Sequence, residues 1–253
     1  MSGHDSSNRQ FIQFYTTASY PCSYLAEERS RSQVAVSGER MSVQAFSQLV
    51  RLGFRRSGLF VYRPHCDFCR ACIPVRLPVS SFTPSRTQQK IWRRQGDLQA
   101  ELLPMRESAE HYFLYQRYQK SRHPGGGMDE DGYEQYRGFL LRSPVDTCLV
   151  EFRRNGVLKM VSVVDRLDDG WSAVYTFFEP DEPHASYGVY NVLWQAHQVR
   201  ALGLEYLYLG YWIQQCRKMK YKADYRPLEA LQDGVWLSLD PGGAVGDSRA
   251  LRQ

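Results

Sequence analysis

The sequence predicts an α+β fold built on a three-stranded antiparallel meander, a helix that covers it and a strand that returns to it. Three observations predict this arrangement: turn dipeptides that divide β-rich stretches, apolar residues that then recur at helical spacing, and an aromatic, β-rich run after the helix. The chain has 253 residues, of which 43% are hydrophobic. It is therefore long enough to bury a sizeable core as one large domain or two small ones.

The meander is predicted at residues 147–178. Its two turns are Asn155-Gly156 and Asp169-Gly170, which are preferred in two-residue hairpins because these residues tolerate positive φ. Three strands by themselves leave one face of the sheet exposed, so a covering element is required.

The helix predicted after the meander has Ser186 as its N-cap and Gly203 as its stop signal. The apolar residues between them recur at helical spacing: Val189, Val192, Leu193, Ala196, Val199 and Leu202. Residues 204–212 then return as a strand. This βββ-α-β order resembles the core of the GNAT acyltransferases, in which the phosphates of the acyl donor lie at the N-terminus of the helix. The resemblance places a donor-binding site at Ser186, Tyr187 and Gly188.

Shorter elements precede the meander. They are strands near residues 11–15, 73–79 and 98–103, and helices at residues 42–53, 85–96, 108–121 and 130–141. A glycine-rich run at residues 122–128 indicates a domain boundary. We divide the chain into an N-terminal region at residues 1–125 and a C-terminal region at 126–240. The Gly- and Asp-rich sequence after Trp236 is expected to be disordered, with residues 241–253 as the tail.

Four cysteines are candidate metal ligands. Cys66, Cys69 and Cys72 have the spacing C-x2-C-x2-C, and Cys22 can supply a fourth thiolate to tetrahedral zinc or to an iron-sulfur cluster. Two alternatives remain open, since the thiols can be small buried apolar groups or only two of them can face each other. The function predicted for the chain requires no cofactor, whether or not these cysteines hold a metal.

A cationic segment follows the returning strand. Between Arg217 and Arg226, five cations stand against one acid, Asp224, so the segment carries 5 minus 1, or +4, with Tyr221 and Tyr225 interleaved. Because basic side chains neutralise phosphates and tyrosines stack on bases, this pattern predicts a nucleic-acid contact. A solvated charged loop is the alternative.

A second basic patch is predicted on the helix at residues 85–96. Its cations surround Trp92 at a spacing that places at least three of them on one helical face: Arg86, Lys90, Arg93 and Arg94. A solvated helix face would have the same pattern.

Composition argues against a membrane-spanning protein. No apolar stretch approaches the roughly 20 residues that a transmembrane helix needs, and the polar first nine residues lack the apolar core of a signal peptide. We therefore expect a cytoplasmic protein, in which cysteines are thiols, metal ligands or catalytic groups rather than disulfides. The net charge of +5 favours an anionic partner.

Several blocks resemble the aminoacyl-tRNA protein transferases, the enzymes of the N-end rule. The C-terminal signature is the run Leu-Gly-Tyr-Trp-Ile at residues 209–213 together with residues 216–222 and 225–227. Further blocks span the chain at residues 21–25, 66–76, 163–167, 173–181 and 186–190. The short chain is similar to the bacterial branch, the aspartate/glutamate leucyltransferases. The resemblance implies that leucine passes from leucyl-tRNA to the N-terminal Asp or Glu of a protein, which marks that protein for degradation.

The implied reaction is aminolysis of an ester. The α-amine of the protein attacks the leucyl carbonyl, and the ribose hydroxyl of the tRNA leaves. An α-amine with a pKa near 7.7 to 8.0 is appreciably neutral at cellular pH. Catalysis therefore rests mostly on holding amine and ester together and on hydrogen-bond donors to the oxyanion.

The resemblance implies roles for particular side chains. Arg76 or Lys220 is expected to read the acidic side chain, with a structural salt bridge as the alternative for Arg76. Asp165 is expected to orient the amine. Three tyrosines are candidates to donate to the oxyanion or stack on the terminal adenosine, unless they are core residues: Tyr187, Tyr211 and Tyr221. Three cations are expected to bind the tRNA: Lys218, Lys220 and Lys222.

Three other functions stay open from the residues alone. They are transfer of arginine from arginyl-tRNA, RNA binding by a non-catalytic cysteine-metal module, and acetylation by acetyl-CoA. The last is disfavoured because Gly188 stands alone where the acetyl-CoA signature has spaced glycines.

Overall fold

The computed structural model describes residues 10–122 and 132–239, and the predicted boundary at residue 125 and the tail at residues 241–253 lie outside them. The described residues form a mixed α/β fold around a large mixed sheet. The strands are β1 Ile12–Thr16, β2 Tyr20–Pro21, β3 Arg29–Ser30, β4 Ser32–Ser37, β5 Arg55–Ser57, β6 Phe60–Pro64, β7 Ile73–Pro78, β8 Gln99–Pro104, β9 Thr147–Arg154, β10 Val157–Arg166, β11 Gly170–Phe178, β12 Tyr206–Trp212, β13 Glu229–Gln232 and β14 Val235–Ser238.

The helices include four of at least nine residues and several single turns. They are α1 Val43–Arg51, α2 Arg86–Arg94, α3 Ala109–Arg122, α4 Tyr133–Tyr136 with a π-helical turn at Arg137–Leu141, α5 Tyr187–Ala201, and 3₁₀ turns at Pro183–Ala185 and Lys220–Asp224. None of the helices in the described ranges is long and apolar enough to cross a membrane.

The large sheet has the strand order β14-β13-β7-β12-β11-β10-β9-β8. Strands β9, β10 and β11 form the predicted antiparallel meander. Its first turn has Asn155 at φ 51° and Gly156 at φ 78°, the positive φ values that a two-residue hairpin turn requires. Strand β12 pairs with β11 in parallel. The predicted order of three strands, a helix and a returning strand is confirmed.

Strands from both sides of residue 125 pair in this one sheet. Strand β7 lies between β12 and β13, and β8 forms the edge beside β9. The division of the chain into two regions is therefore not a division of the sheet. The expectation of disorder directly after Trp236 is wrong, because Leu237 and Ser238 belong to β14, where they pair with β13.

Helices cover the large sheet on both faces. On one face, α2 and α5 pack through residues such as Ile91, Val192 and Leu193 against Phe152 of the sheet. On the other, α3 packs through Leu114 and other residues on the meander. A smaller sheet, in the order β1-β4-β6-β5, packs with α1 in a separate apolar cluster.

Side-chain caps fix where two helices begin. The Oγ of Ser42 accepts from the backbone N–H of Ala45 at 3.1 Å, and Ser85 and Gln88 form a capping box. Ser186 precedes α5 as predicted, but it has a left-handed backbone at φ 57° and makes no side-chain cap. Its Oγ instead accepts from Nη2 of Arg94 at 3.4 Å. The start of α5 is therefore tied to the end of α2.

Candidate active site

The hydrogen-bond ladder between β11 and β12 is open along most of its length. Backbone pairing extends only from Gly170 to Ser172 on β11, and the register of β12 with β7 shifts between Tyr208 and Gly210. Gly210 has φ +74°, a conformation in which a side chain is strained. The two strands therefore leave a gap toward their carboxyl ends.

Arg55 fills this gap from outside the sheet. It is the first residue of β5, and its Nη2 donates to the backbone carbonyls of Ala173 at 2.8 Å and Val174 at 3.4 Å. A Cβ placed on Gly210 would lie 1.9 Å from Nη1 of Arg55, so the glycine is needed for this approach. The Nε of Arg55 is buried and has no hydrogen-bond partner among the described residues. Part of the donor capacity of this guanidinium is unused.

Lys222 approaches the same place from the 3₁₀ turn that follows β12. The residue is 7% exposed, and its Nζ donates to the backbone carbonyl of Tyr211 at 2.5 Å. Burial, and after it the positive charge of Arg55, lowers the pKa of Lys222 to about 7. Both effects disfavour the protonated amine. The positive charges of Arg55 and Lys222 therefore repel each other beside strand β12.

Neither cation is in an ion pair with a carboxylate in the part of the chain that the structure describes. Within residues 10–122 and 132–239, Arg55 and Lys222 hydrogen-bond only to backbone carbonyls, and neither forms an ion pair with a carboxylate. A buried positive charge without a partner is unfavourable, and a second one beside it adds repulsion. We refer to this place as the Arg55–Lys222 recess. It is suited to binding an anion.

Tyr211, predicted to be catalytic, forms the wall of the recess. It is 1% exposed, its hydroxyl donates to the carbonyl of Gly53 at 2.9 Å, and its ring centroid lies 5.8 Å from Cζ of Arg55. Burial raises the pKa of its phenol well above the ordinary value. The hydroxyl is therefore neutral and engaged with the chain, which argues against a direct part in the reaction.

The predicted cations divide into two groups. Lys218 and Lys220 are exposed, whereas Lys222 is buried. Tyr221, on the same turn, is 46% exposed and packs edge-on to Tyr225 at 6.4 Å. Ligand contact by Tyr221, Lys218 and Lys220 therefore stays a prediction, while Lys222 belongs to the recess.

The N-terminus of α5 lies at the carboxyl end of β11. Phe178 is the last residue of β11. The centroid of its ring lies 6.0 Å from that of Tyr187, and a Cβ on Gly188 would lie 3.6 Å from the Phe178 ring. This is the end at which the ladder is open. Tyr187 itself is 1% exposed and donates its hydroxyl to Glu182 at 2.6 Å. The Tyr187 phenol is thus engaged within the chain, and a donor site at Ser186 and Gly188 stays a prediction.

Asp165 does not have the surroundings expected of a group that orients the amine. It is fully buried, both carboxylate oxygens accept from Nε of Arg56, at 2.9 and 3.0 Å, and Thr147 donates to it at 2.6 Å. Burial raises the pKa of Asp165, and the Arg56 charge opposes the rise. Asp165 is therefore the partner of a buried arginine rather than a carboxylate open to an amine.

Arg76 is likewise engaged. Its Nε donates to Glu229 at 2.7 Å, and its guanidinium stacks 3.6 Å from the ring centroid of Tyr206 and 4.4 Å from that of Trp236. The structural salt bridge, which the sequence left open as the alternative, is the one formed. A substrate carboxylate would have to displace Glu229 to reach this arginine.

The cysteine cluster does not form the predicted four-thiolate site in the described structure. Burial raises the pKa of Cys72 to about 12, and the neighbouring Cys22, Cys66 and Cys69 thiols add to the rise, so the thiols do lie near one another. Cys66 donates to the carbonyl of Arg31 at 3.8 Å. In the part of the chain described, no group of three or more His, Cys, Asp or Glu side chains is arranged to hold a metal ion.

Sequence reasoning missed Arg55 and Gly210, although both left a signal. Adjacent strand residues point to opposite faces, so in the tandem pair Arg55 and Arg56 one side chain enters the buried pair with Asp165 and the other is free to reach the gap. Gly210 interrupts an apolar, aromatic strand, which indicates a bulge or a close approach.

Comparison with known proteins defines the class. A family model described as "Arginine-tRNA-protein transferase, C terminus" matches residues 110–232, and one described as "Arginine-tRNA-protein transferase, N terminus" matches residues 20–90. The chain therefore belongs to the arginine-tRNA-protein transferase family, which confirms the resemblance to aminoacyl-tRNA protein transferases.

The chain is also similar to individual proteins over most of its length. The aspartate/glutamate leucyltransferase of Chromobacterium violaceum is 57% identical over 96% of this chain and 100% of its own length. That of Nitrosospira multiformis is 58% identical over 90% of this chain and 91% of its own length. Among solved structures, L-PGS from Bacillus licheniformis has a TM-score of 0.45 and 10% identity over 79% of this chain and 68% of that chain.

Proposed function

We propose that the chain transfers leucine from leucyl-tRNA to the α-amine of proteins that begin with Asp or Glu, in the cytoplasm, and so marks them for degradation. The extent of the two family matches and the identity to leucyltransferases support this function. We also propose that β9 to β12 with α5 are a GNAT-like acyltransferase unit, because a parallel pair with an open ladder follows a meander and its crossover helix.

The reaction forms an amide between the protein's α-amine nitrogen and the leucyl carbonyl carbon. The ester C–O bond breaks, the ribose oxygen leaves with the bonding electron pair, and the proton lost by the amine passes to that oxygen, directly or through solvent, to give the ribose hydroxyl. An α-amine with a pKa near 7.7 to 8.0 needs little help to be neutral. The protein contributes chiefly by holding amine and ester together.

The assignment of an acidic N-terminal residue as substrate rests on one observation, which is that the recess holds two cations without a paired carboxylate. The β- or γ-carboxylate of an N-terminal Asp or Glu is the counter-ion that Arg55 and Lys222 lack within the described chain. An arginine that already donates to carbonyls through Nη2 can offer its remaining N–H groups to a carboxylate. Bound in this way, the acidic side chain places its own α-amine in the gap between β11 and β12.

The Arg55→Gln substitution tests this assignment. Loss of a charge-assisted hydrogen bond of about 1.5–3 kcal/mol should raise KM for Asp- and Glu-starting peptides about 10- to 100-fold and leave KM for leucyl-tRNA nearly unchanged. Steady-state transfer, with leucyl-tRNA and arginyl-tRNA offered in parallel, measures both constants and identifies the donor.

Arg63→Gln is the matched control. Arg63 lies on β6 and donates to Gln33 at 2.9 Å and to the carbonyl of Leu52 at 3.0 Å, so its loss should alter neither KM. Equal rises in KM for peptide and tRNA in Arg55→Gln would contradict the role of Arg55. No leucyl product from the unsubstituted protein would refute the function itself.

A further inference from the structure

Helix α2 presents four cations on its outer face. Arg86, Lys90, Arg93 and Arg94 are all exposed, and at about 100° per residue they occupy an arc of about 100°. The opposite face is buried through Gln88 and Ile91. The second basic patch predicted from the sequence is therefore one continuous surface.

This concentration of charge is not explained by the fold. None of the four cations forms an ion pair within the part of the chain that the structure describes, and α2 has no acidic residue in its first turn. Like charges three and four residues apart repel each other on a helix. Arg86 also stands at the positive end of the helix dipole, where a cation is unfavourable. A local structural role would select against such a face.

Both ends of α2 contact elements that border the recess. The Nε2 of Gln88 donates to the carbonyl of Asp224, on the turn that carries Lys222, at 3.2 Å. At the other end, Arg94 donates to Ser186 and Gln95 donates to the carbonyl of Ala185, at 2.8 Å, just before α5. The basic face of α2 therefore runs alongside the proposed active site and continues the exposed cations Lys218 and Lys220.

A groove of about 380 Å³ lies between α2 and α5 beside this face. Trp92 lines it, packed 5.4 Å from the ring of Tyr190 and 5.5 Å from that of His197. Arg93 also lines the groove, whereas the guanidinium of Arg200 is taken up by backbone carbonyls. A partly exposed aromatic ring beside an exposed arginine, as with Trp92 and Arg93, is suited to holding a nucleotide by stacking and by contact with phosphate.

We infer that the exposed face of α2 binds the phosphate backbone of the acceptor arm of the aminoacyl-tRNA, and so directs the esterified 3′ end toward the recess. The inference rests on the proposed function, since it takes tRNA as the donor. Charge identifies the partner, because the tRNA backbone is the polyanion that this transferase must hold during the reaction. Among the described residues, no carboxylate forms an ion pair with the cations of α2.

The test removes two of these charges in Lys90→Gln/Arg93→Gln. Binding of deacylated leucine tRNA is measured by filter retention between about 50 and 200 mM salt, where each phosphate contact contributes about 0.7 to 0.9 to the slope of log Kd against log salt. We expect the slope to fall by more than one and the affinity to fall about tenfold or more. KM for an Asp-starting peptide should stay within twofold.

The matched control is Arg40→Gln/Arg166→Gln. Both arginines face Asp146 at the opposite end of the meander, at 4.0 and 3.1 Å, and the same net charge is removed. A wild-type salt slope in the α2 variant, an equal loss in the control, or a rise in peptide KM instead would each overturn the inference. Leucyl transfer by the wild-type protein is assayed alongside, so a failure of the proposed function shows itself separately, as absence of product.

Discussion

Replacing Lys222 with methionine should stabilise the protein and weaken its reaction with acidic N-termini. The ammonium of Lys222 is buried, and burial lowers its pKa from 10.5 to about 7. At about 1.4 kcal/mol per pKa unit, keeping the charged form in the fold costs about 3–5 kcal/mol. The variant also loses the hydrogen bond to the carbonyl of Tyr211, which offsets about 1 kcal/mol of this gain. The net gain expected for Lys222→Met is therefore about 2–4 kcal/mol in the free energy of unfolding.

The gain should depend on pH in a defined direction. Below pH 7 the amine is protonated in both the folded and the unfolded protein, so the full cost of the buried charge is present. Between pH 7 and 10.5 the folded protein has lost this proton while the unfolded chain keeps it, and the cost shrinks as pH rises. Above 10.5 both forms are neutral and the cost is gone. The advantage of Lys222→Met should thus be largest near pH 6 and fade toward pH 10.

Urea unfolding of the wild-type protein and the variant at pH 6, 7.5 and 9 measures this difference. Lys220→Met, an exposed lysine two residues away on the same turn, is the control and should change stability by less than about 0.5 kcal/mol at each pH. A Lys222→Met protein that is less stable than wild type at pH 6, or a stability difference independent of pH, would refute the reasoning. Transfer to Asp-starting peptides should fall in Lys222→Met, since stability here is given up for an anion site.

Two further substitutions separate structural from functional residues. Asp165→Asn leaves the buried guanidinium of Arg56 without its carboxylate and should lower the free energy of unfolding in urea by about 3–5 kcal/mol. The folded variant should keep its KM for acidic peptides. A selective rise in that KM would show that Asp165 takes part in the site. Gly210→Ala places a Cβ against Arg55 at a residue with φ +74°. It should cost about 1–2 kcal/mol of stability and raise the peptide KM as Arg55→Gln does, and an unchanged KM would show that the approach of Arg55 to β12 is not needed.

Local chemistry made most of the fold predictable. Asn155-Gly156 specified a hairpin turn, and the spacing of apolar residues after Ser186 specified a helix, because both signals act between neighbours in sequence. The basic patch of α2 was readable for the same reason, since helical geometry alone brings its cations to one face. Strand β7 was recognised as extended, but its position between β12 and β13 had no local signal.

The candidate site was predictable only in part. The sequence located the basic, tyrosine-rich segment after β12 and the start of α5, and the structure brings both to the open end of the ladder. It did not reveal which charged groups are already paired. Arg76 is paired with Glu229, which is 153 residues away, and no pattern within a window of sequence encodes such a partner.

By itself, the sequence determined the meander, the covering helix, the cationic segment and the family, because these depend on residue type, spacing and ordered blocks. Tertiary structure decided which cations are left without a counter-ion. Asp165 is neutralised by Arg56 across 109 residues, whereas Arg55, its neighbour in the chain, is carried by the alternation of the strand into the gap beside Gly210. The physical reason is that a charge becomes available to a substrate only through the absence of a partner, and partners are assigned by the packing of distant segments.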